Sequence, residues 1–277
     1  MNNLEDKVFE GIISWFKDKN QKAIVALSGG VDSAVVALAA KKALDKKAIA
    51  VTADYNTLSA DELKSARKIA KEINIEHKII RYNELENEEF VKNDLLRCYH
   101  CRSELASYLL HEAKKIDVVL VVDGTNIDDL KDYRPGIKAL RENGIKSPLV
   151  ELGIDKNNVR SIAKSNNLSV FDKPSNSCLA SRIPYGSPVT FEKLKRIETA
   201  EFLVKSIFNV RQVRVRDHQD LARIEVGKEE IKEMFDTKKL SEMDSKLKHL
   251  GFKHIALDLS GYKSRENINT SSSNNTV

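Results

Sequence analysis

Hydrophobic positions cluster into short uninterrupted runs separated by helix-periodic stretches. The first run, Ala23-Ile24-Val25-Ala26-Leu27, has no polar alternation and reads as a buried strand. Ala48–Ala53, Glu76–Ile80 and Val118–Val122 read as three more strands. Between them the period changes. Val8, Ile12, Ile13, Trp15 and Phe16 mark an amphipathic helix over 5–18, and Leu63, Ala66, Ile69, Ala70 and Ile73 mark one over 60–73. Apolar strands alternating with helices predict an α/β fold, a parallel sheet covered on both faces with ligands at the strands' carboxyl ends. Pro148-Leu149-Val150 suggests a fifth strand, and Asp155 opens a helix over 155–167.

The pattern breaks at 171–188, where three prolines with Ser and Gly predict a loop. A loop of this length is more often functional than idle. Beyond it come a helix (about 190–207), strands 210–216 and 221–226, a charged helix and a last strand, Ile255–Leu257, together a smaller α+β domain. The expected division is 1–186, 187–263 and a disordered tail over 264–277.

Ser28-Gly29-Gly30-Val31-Asp32-Ser33 joins the first strand to an apolar helix beginning near Ala34. Glycines admit unusual backbone angles and close ligand approach. The helix start offers N–H groups and a positive dipole end, together an anion site. Ser28 and Ser33 add hydroxyls, and Asp32 is placed to hold a metal or orient the loop. The plainer alternative is a capped turn. Asp123-Gly124-Thr125-Asn126 ends the fourth strand and points into the same crevice. Arg134 follows as a candidate to reach a bound phosphate or a substrate.

Composition narrows the picture modestly. The chain has 277 residues, 41% of them hydrophobic, enough for one large or two modest domains. No apolar run approaches the roughly 20 residues of a membrane span. The start, Met1–Asp6, lacks signal-peptide character, so the expected location is the cytoplasm, with no membrane partner. Net charge is +5, compatible with an anionic small molecule and no argument for nucleic acid.

Three cysteines are present: Cys98 and Cys101 in Cys98-Tyr99-His100-Cys101, placed ahead of helix-like residues 102–114, and Cys178 in the proline-serine loop. Buried thiols, a redox pair, zinc completed by His100 or His111, and an iron–sulfur cluster all compete. Spacing does not separate the last two.

Neither GxxxxGK[ST] nor GxGxxG occurs. Ser28–Ser33 instead resembles the PP-loop of the ATP pyrophosphatase superfamily (adenine nucleotide alpha hydrolase-like), and Gly124-Thr125-Asn126 an element many of its members carry. The run Pro174-Ser175-Asn176-Ser177-Cys178-Leu179-Ala180-Ser181-Arg182-Ile183-Pro184-Tyr185-Gly186 resembles the signature of the LarE family of sulfur transferases, which serve nickel-pincer nucleotide biosynthesis. That resemblance implies ATP·Mg2+ as cosubstrate and pyridinium-3,5-biscarboxylic acid mononucleotide as substrate. Each carboxylate is adenylated, pyrophosphate leaves, and sulfur displaces AMP. It also implies a homo-oligomer and sulfide or another sulfur donor.

Members with one cysteine, equivalent to Cys178, sacrifice its sulfur. This chain departs from them and resembles three-cysteine members held to carry a [4Fe-4S] cluster, which makes Cys98, Cys101 and Cys178 the expected ligands. Arg182, close to Cys178, is the expected substrate contact, because guanidinium matches phosphate and carboxylate bidentately. Arg214 and Arg216 share a face of strand 210–216 and join the expected site, against the alternative of a solvated strand face. Glu201 is carried by resemblance alone.

A tRNA thiolation enzyme of the same superfamily is the main alternative. It needs a basic surface, whereas residues 187–263 hold 16 Lys+Arg against 13 Asp+Glu, an excess of three. An amidating ligase would not need three cysteines. A non-enzymatic adenine-nucleotide sensor with structural zinc also stays open.

Overall fold

A computed structural model describes residues 4–131, 134–174 and 176–262. The expected tail over 264–277 lies outside them. By its contacts the chain forms two compact units, 1–176 and 177–277, where the sequence pattern puts the division at 186/187.

In the first unit, four parallel strands, β1 (Ala23–Ala26), β2 (Ala48–Asp54), β3 (Glu76–Arg81) and β4 (Leu120–Val122), lie in the order β3-β2-β1-β4. Alternate side chains enter separate cores. Ala23, Val25, Ala48, Ala50 and Val122 join one, with α1 (Leu4–Lys19), α2 (Val31–Leu44), α3 (Ala60–Glu72) and α8 (Lys156–Ser165). Ile24, Ile49, Val51 and Val121 join the other, with α5 (Arg97–Lys115). Burial on both faces explains why the strands lack polar alternation.

The expected fifth strand is not formed. Pro148–Val150 lies in a one-turn helix, α7 (Pro148–Glu151), following the four-residue α4 (Glu88–Val91) and α6 (Pro135–Glu142) in the chain. Pro148 stands at the first helical position, where its missing N–H costs nothing. Lys146 makes the single bridge to Val122 instead. The CxxC is also placed differently: α5 begins at Arg97, so Cys98 and Cys101 belong to its first turns.

From β1 the chain runs to β2 and β3 on one side, and β4 takes the other. The β1/β4 crevice is therefore the switch point at which open parallel sheets bind ligands. The Ser28–Ser33 and Asp123–Asn126 loops leave those two strands.

The second unit has its own sheet of β5 (Val213–His218), β6 (Leu221–Val226) and β7 (His254–Leu257), with β5/β6 antiparallel and β6/β7 parallel. Helices α9 (Phe191–Phe208) and α10 (Thr237–His249) give Val204, Phe208, Met243 and Leu247 to its core.

Candidate active site

The Ser28–Ser33 loop is braced from within and from three sides. Gly29 has φ +83°, and a Cβ there would lie 2.4 Å from the Glu62 carbonyl, so only glycine fits. Gly30 caps α2 with φ −91°, an ordinary value, so its backbone does not require glycine. No side chain caps this helix, which leaves its first-turn N–H groups as the anion-binding edge. The buried Ser33 hydroxyl donates to the Gly30 carbonyl (3.1 Å) and accepts from the Ser28 N–H (3.2 Å), so it is internal bracing. Ser28 is exposed, and its hydroxyl lies 3.1 Å from that of Ser33.

Asp32 accepts the Asn126 amide at 2.9 Å on Oδ1 and the Lys156 ammonium on Oδ2. It orients the two loops. Gly124 packs directly on the helix start, where a Cβ would lie 2.6 Å from the Ser33 nitrogen. Thr125 is turned back on Asp123, with its hydroxyl 2.5 Å from Oδ2. Asn126 and Asp129 form a capping box around Ile127–Leu130, and Arg134 reaches Asp129 at 2.5 Å. Burial pushes the Asp129 carboxyl above its usual range, against the pull of Arg134.

On the other flank, Lys173 and Ser65 both donate to the Gly29 carbonyl at 2.9 Å. Lys173 also pairs with Glu62 (2.9 Å), which accepts from Asn176 (3.1 Å). Beneath the loop the Thr52 hydroxyl donates to the Leu27 carbonyl at 2.7 Å, leaving its lone pair for His77 Nε2, also at 2.7 Å.

In the second unit Cys178 precedes a short 3-10 turn, Leu179–Arg182, and is half-buried. The Arg182 side chain is fully buried. It meets Glu201 at 2.8 and 3.1 Å, and its Nη1 donates to the Ser177 (2.6 Å) and Cys178 (2.9 Å) carbonyls. Glu201 also accepts from the Val215 N–H. Arg216 pairs with Glu225 and donates to the Ser181 carbonyl at 2.9 Å. The Cys178 turn is thus clamped to α9 and β5.

Comparison with known proteins agrees with this loop chemistry. The family model for queuosine biosynthesis protein QueC matches residues 22–103, from β1 into the first turns of α5. A Synechocystis protein of uncharacterized role is 42% identical over 261 residues, 94% of this chain and 96% of its own. Pyridinium-3,5-bisthiocarboxylic acid mononucleotide synthase of Lactiplantibacillus plantarum is 31% identical over 247 residues, 88% of each chain. The chain belongs to the LarE family. A 7-cyano-7-deazaguanine synthase from Clostridium botulinum is 46% identical over only 77 residues, 28% of this chain.

In this LarE-family chain the structure brings together Ser28, Gly29, Gly30, Asp32, Ser33, Gly124 and Asn126, with Thr125 and Arg134 held beside them. Arg182, the expected substrate contact, has a buried side chain paired with Glu201. Arg214 is also buried, against the alternative of a solvated face. It lies over the Tyr262 ring (4.9 Å), and burial lowers its pKa, with the Arg182 charge adding to the shift.

Cys98 and Cys101 lie one helical turn apart on one side of α5, and all three thiols are free of disulfides. Three thiols outside any disulfide fit a thiolate-ligated cluster in donor type. Among the described residues, no three His, Cys, Asp or Glu side chains are grouped to hold a metal ion, whether zinc or a cluster. No helix among the described residues is long and apolar enough to cross a membrane.

Sequence reading missed Glu62, Ser65, Lys156 and Lys173. One signal was available for Glu62: it shares a helix face with Ala66 and Ile69, where a carboxylate calls for a buried partner.

Proposed function

We propose that this chain is an ATP-dependent sulfur transferase acting on pyridinium-3,5-biscarboxylic acid mononucleotide, as the name of its Lactiplantibacillus relative suggests. The observation that carries the proposal is the uncapped start of α2, whose Asp32 is tied to Asn126 of the second loop and to Lys156. N–H groups with no protein acceptor suit the pyrophosphate of ATP·Mg2+. Ser28, Gly30 and the first turn of α2 hold the β- and γ-phosphates, and Gly124 lets the second loop close on them.

A carboxylate oxygen of the substrate attacks the α-phosphorus, the bond to the bridging oxygen breaks, and pyrophosphate departs with the electron pair. The acyl adenylate then has AMP as its leaving group, far better than the oxide of a free carboxylate. A sulfur nucleophile adds to the acyl carbon, and AMP leaves to give the thiocarboxylate. Arg182, with Glu201 and Arg216, holds the Cys178 turn in one conformation so that its thiol direction is fixed.

Cys98, Cys101 and Cys178 are the three ligands this chain offers a [4Fe-4S] cluster, which when bound supplies a transferable sulfide at its fourth iron. On this reading Cys178 survives turnover, and sulfide or another donor restores the sulfur.

Metal analysis after anoxic purification tests the ligand assignment. About four irons per chain with matching sulfide, lost in Cys98→Ser, Cys101→Ser and Cys178→Ser, is the expected result. A metal-free chain that loses the elements of hydrogen sulfide from Cys178 during one turnover would instead make Cys178 a sacrificial donor. Absence of substrate-dependent pyrophosphate release would refute the enzyme reading.

A further inference from the structure

Helix α6 carries Lys138 and Arg141, with Arg134 at its N-cap. The i, i+4, i+7 spacing puts all three on one side. With Asp129 and Glu142 they line a cavity of about 270 Å3. Its charges do not cancel. Asp129 is paired with Arg134 at 2.5 Å, and Glu142 accepts the Tyr99 hydroxyl at 2.7 Å with Lys138 at 3.7 Å. Arg141 is left exposed, with no side-chain partner among the described residues.

The cavity is a hollow open to solvent, with Lys138 and Arg141 exposed on its wall, and it admits one charged group with its hydration. Its position ties it to the loop chemistry. Asn126 donates its amide to Asp32 and its backbone N–H to Asp129 (3.1 Å), so two residues link the Ser28–Ser33 loop to the cavity wall. The same helix is pressed against the CxxC turn, where a Cβ on Gly136 would lie 3.1 Å from the Cys98 carbonyl.

We infer that this cavity is a phosphomonoester subsite for the nucleotide substrate, anchored by Arg141. Identifying the nucleotide rests on the proposed function; the anion preference rests on the cavity alone. A phosphomonoester carries nearly two charges and fits a guanidinium fork. Arg141 supplies that fork, and the loosely paired Lys138 the second cation. The phosphate is remote from the reacting carboxylates, and gripping it orients them toward ATP.

The test measures binding to wild type and Arg141→Ala, both saturated with α,β-methylene ATP to fill the Ser28–Ser33 loop. The mononucleotide should bind the variant about tenfold more weakly, the weight of one charge-assisted contact. Its dephosphorylated nucleoside should bind both proteins equally. Equal mononucleotide affinity for the two proteins, or equal losses for nucleotide and nucleoside, would overturn the inference. If the mononucleotide fails to bind wild type, the proposed substrate falls, and inorganic phosphate decides the subsite. Phosphate binding to wild type and not to Arg141→Ala upholds it, and no difference between the two refutes it.

Discussion

Arg182 and Glu201 meet fork to fork, Nε to Oε1 at 2.8 Å and Nη2 to Oε2 at 3.1 Å, with both side chains buried. Deleting one partner of such a pair strands the other charge, at a cost of about 3–5 kcal/mol. Glu201→Ala should therefore lower the unfolding midpoint of the full chain sharply, and Glu201→Gln, which keeps one acceptor, should lower it less. Thermal unfolding followed by circular dichroism checks this. A near-native midpoint for Glu201→Ala would contradict a clamp.

The two loop glycines should respond differently. Gly29→Ala places a methyl against the Glu62 carbonyl at positive φ, so it should cost at least about 1–3 kcal/mol. Gly30 has ordinary angles and nothing nearer than 3.5 Å, so Gly30→Ala should stay within about 0.5 kcal/mol. Urea denaturation of the two variants decides, and equal losses would count against this account of the loop.

Asn126 should matter for ATP without touching it in the free protein. It accepts the Asp128 N–H at 2.9 Å and donates to Asp32, joining the second loop to the first. Asn126→Ala should raise the KM for ATP by roughly tenfold, the equivalent of one hydrogen bond to a charged group. An unchanged KM would mean that the loops are fixed by Gly124 packing alone.

His77 gives stability a pH dependence. Burial, helped by the Arg67 charge, holds its pKa below the ordinary 6.5. Well above pH 6.5 both states are neutral and the residue contributes nothing. As pH falls below 6.5 the unfolded chain takes up the proton first, so stability drops until the lower folded pKa is passed. His77→Gln should flatten that part of the acid limb, read from urea midpoints between about pH 7 and pH 5. His218, also lowered mainly by burial, retains its share. An unchanged slope would argue against a pKa of His77 lowered by burial.

How far the sequence reveals this architecture differs between fold and site. The four strands were legible because burial on both faces forces continuous apolar runs, and Ser28–Ser33 because glycine, hydroxyl and acid had to be adjacent in the chain. Pro148–Val150 misled because an apolar triplet has no period, and one proline at the first helical position decided for a helix. Lys156 reaches Asp32 across 124 positions, and nothing local to Lys156 announces it. Glu201 left a trace: it sits in one seam with Leu194, Ile197, Val204 and Phe208, a core face where an acid needs a buried cation. Reading that face calls for a buried cation, which the structure supplies as Arg182.

The most direct measurement combines product and protein mass after incubation with ATP·Mg2+, sulfide and pyridinium-3,5-biscarboxylic acid mononucleotide under anoxic conditions. The account predicts pyrophosphate and AMP release and a product in which oxygen has been exchanged for sulfur. It also predicts more than one sulfur installed per chain, with the protein mass unchanged. A chain that releases no substrate-dependent pyrophosphate and forms no thiocarboxylate would contradict it.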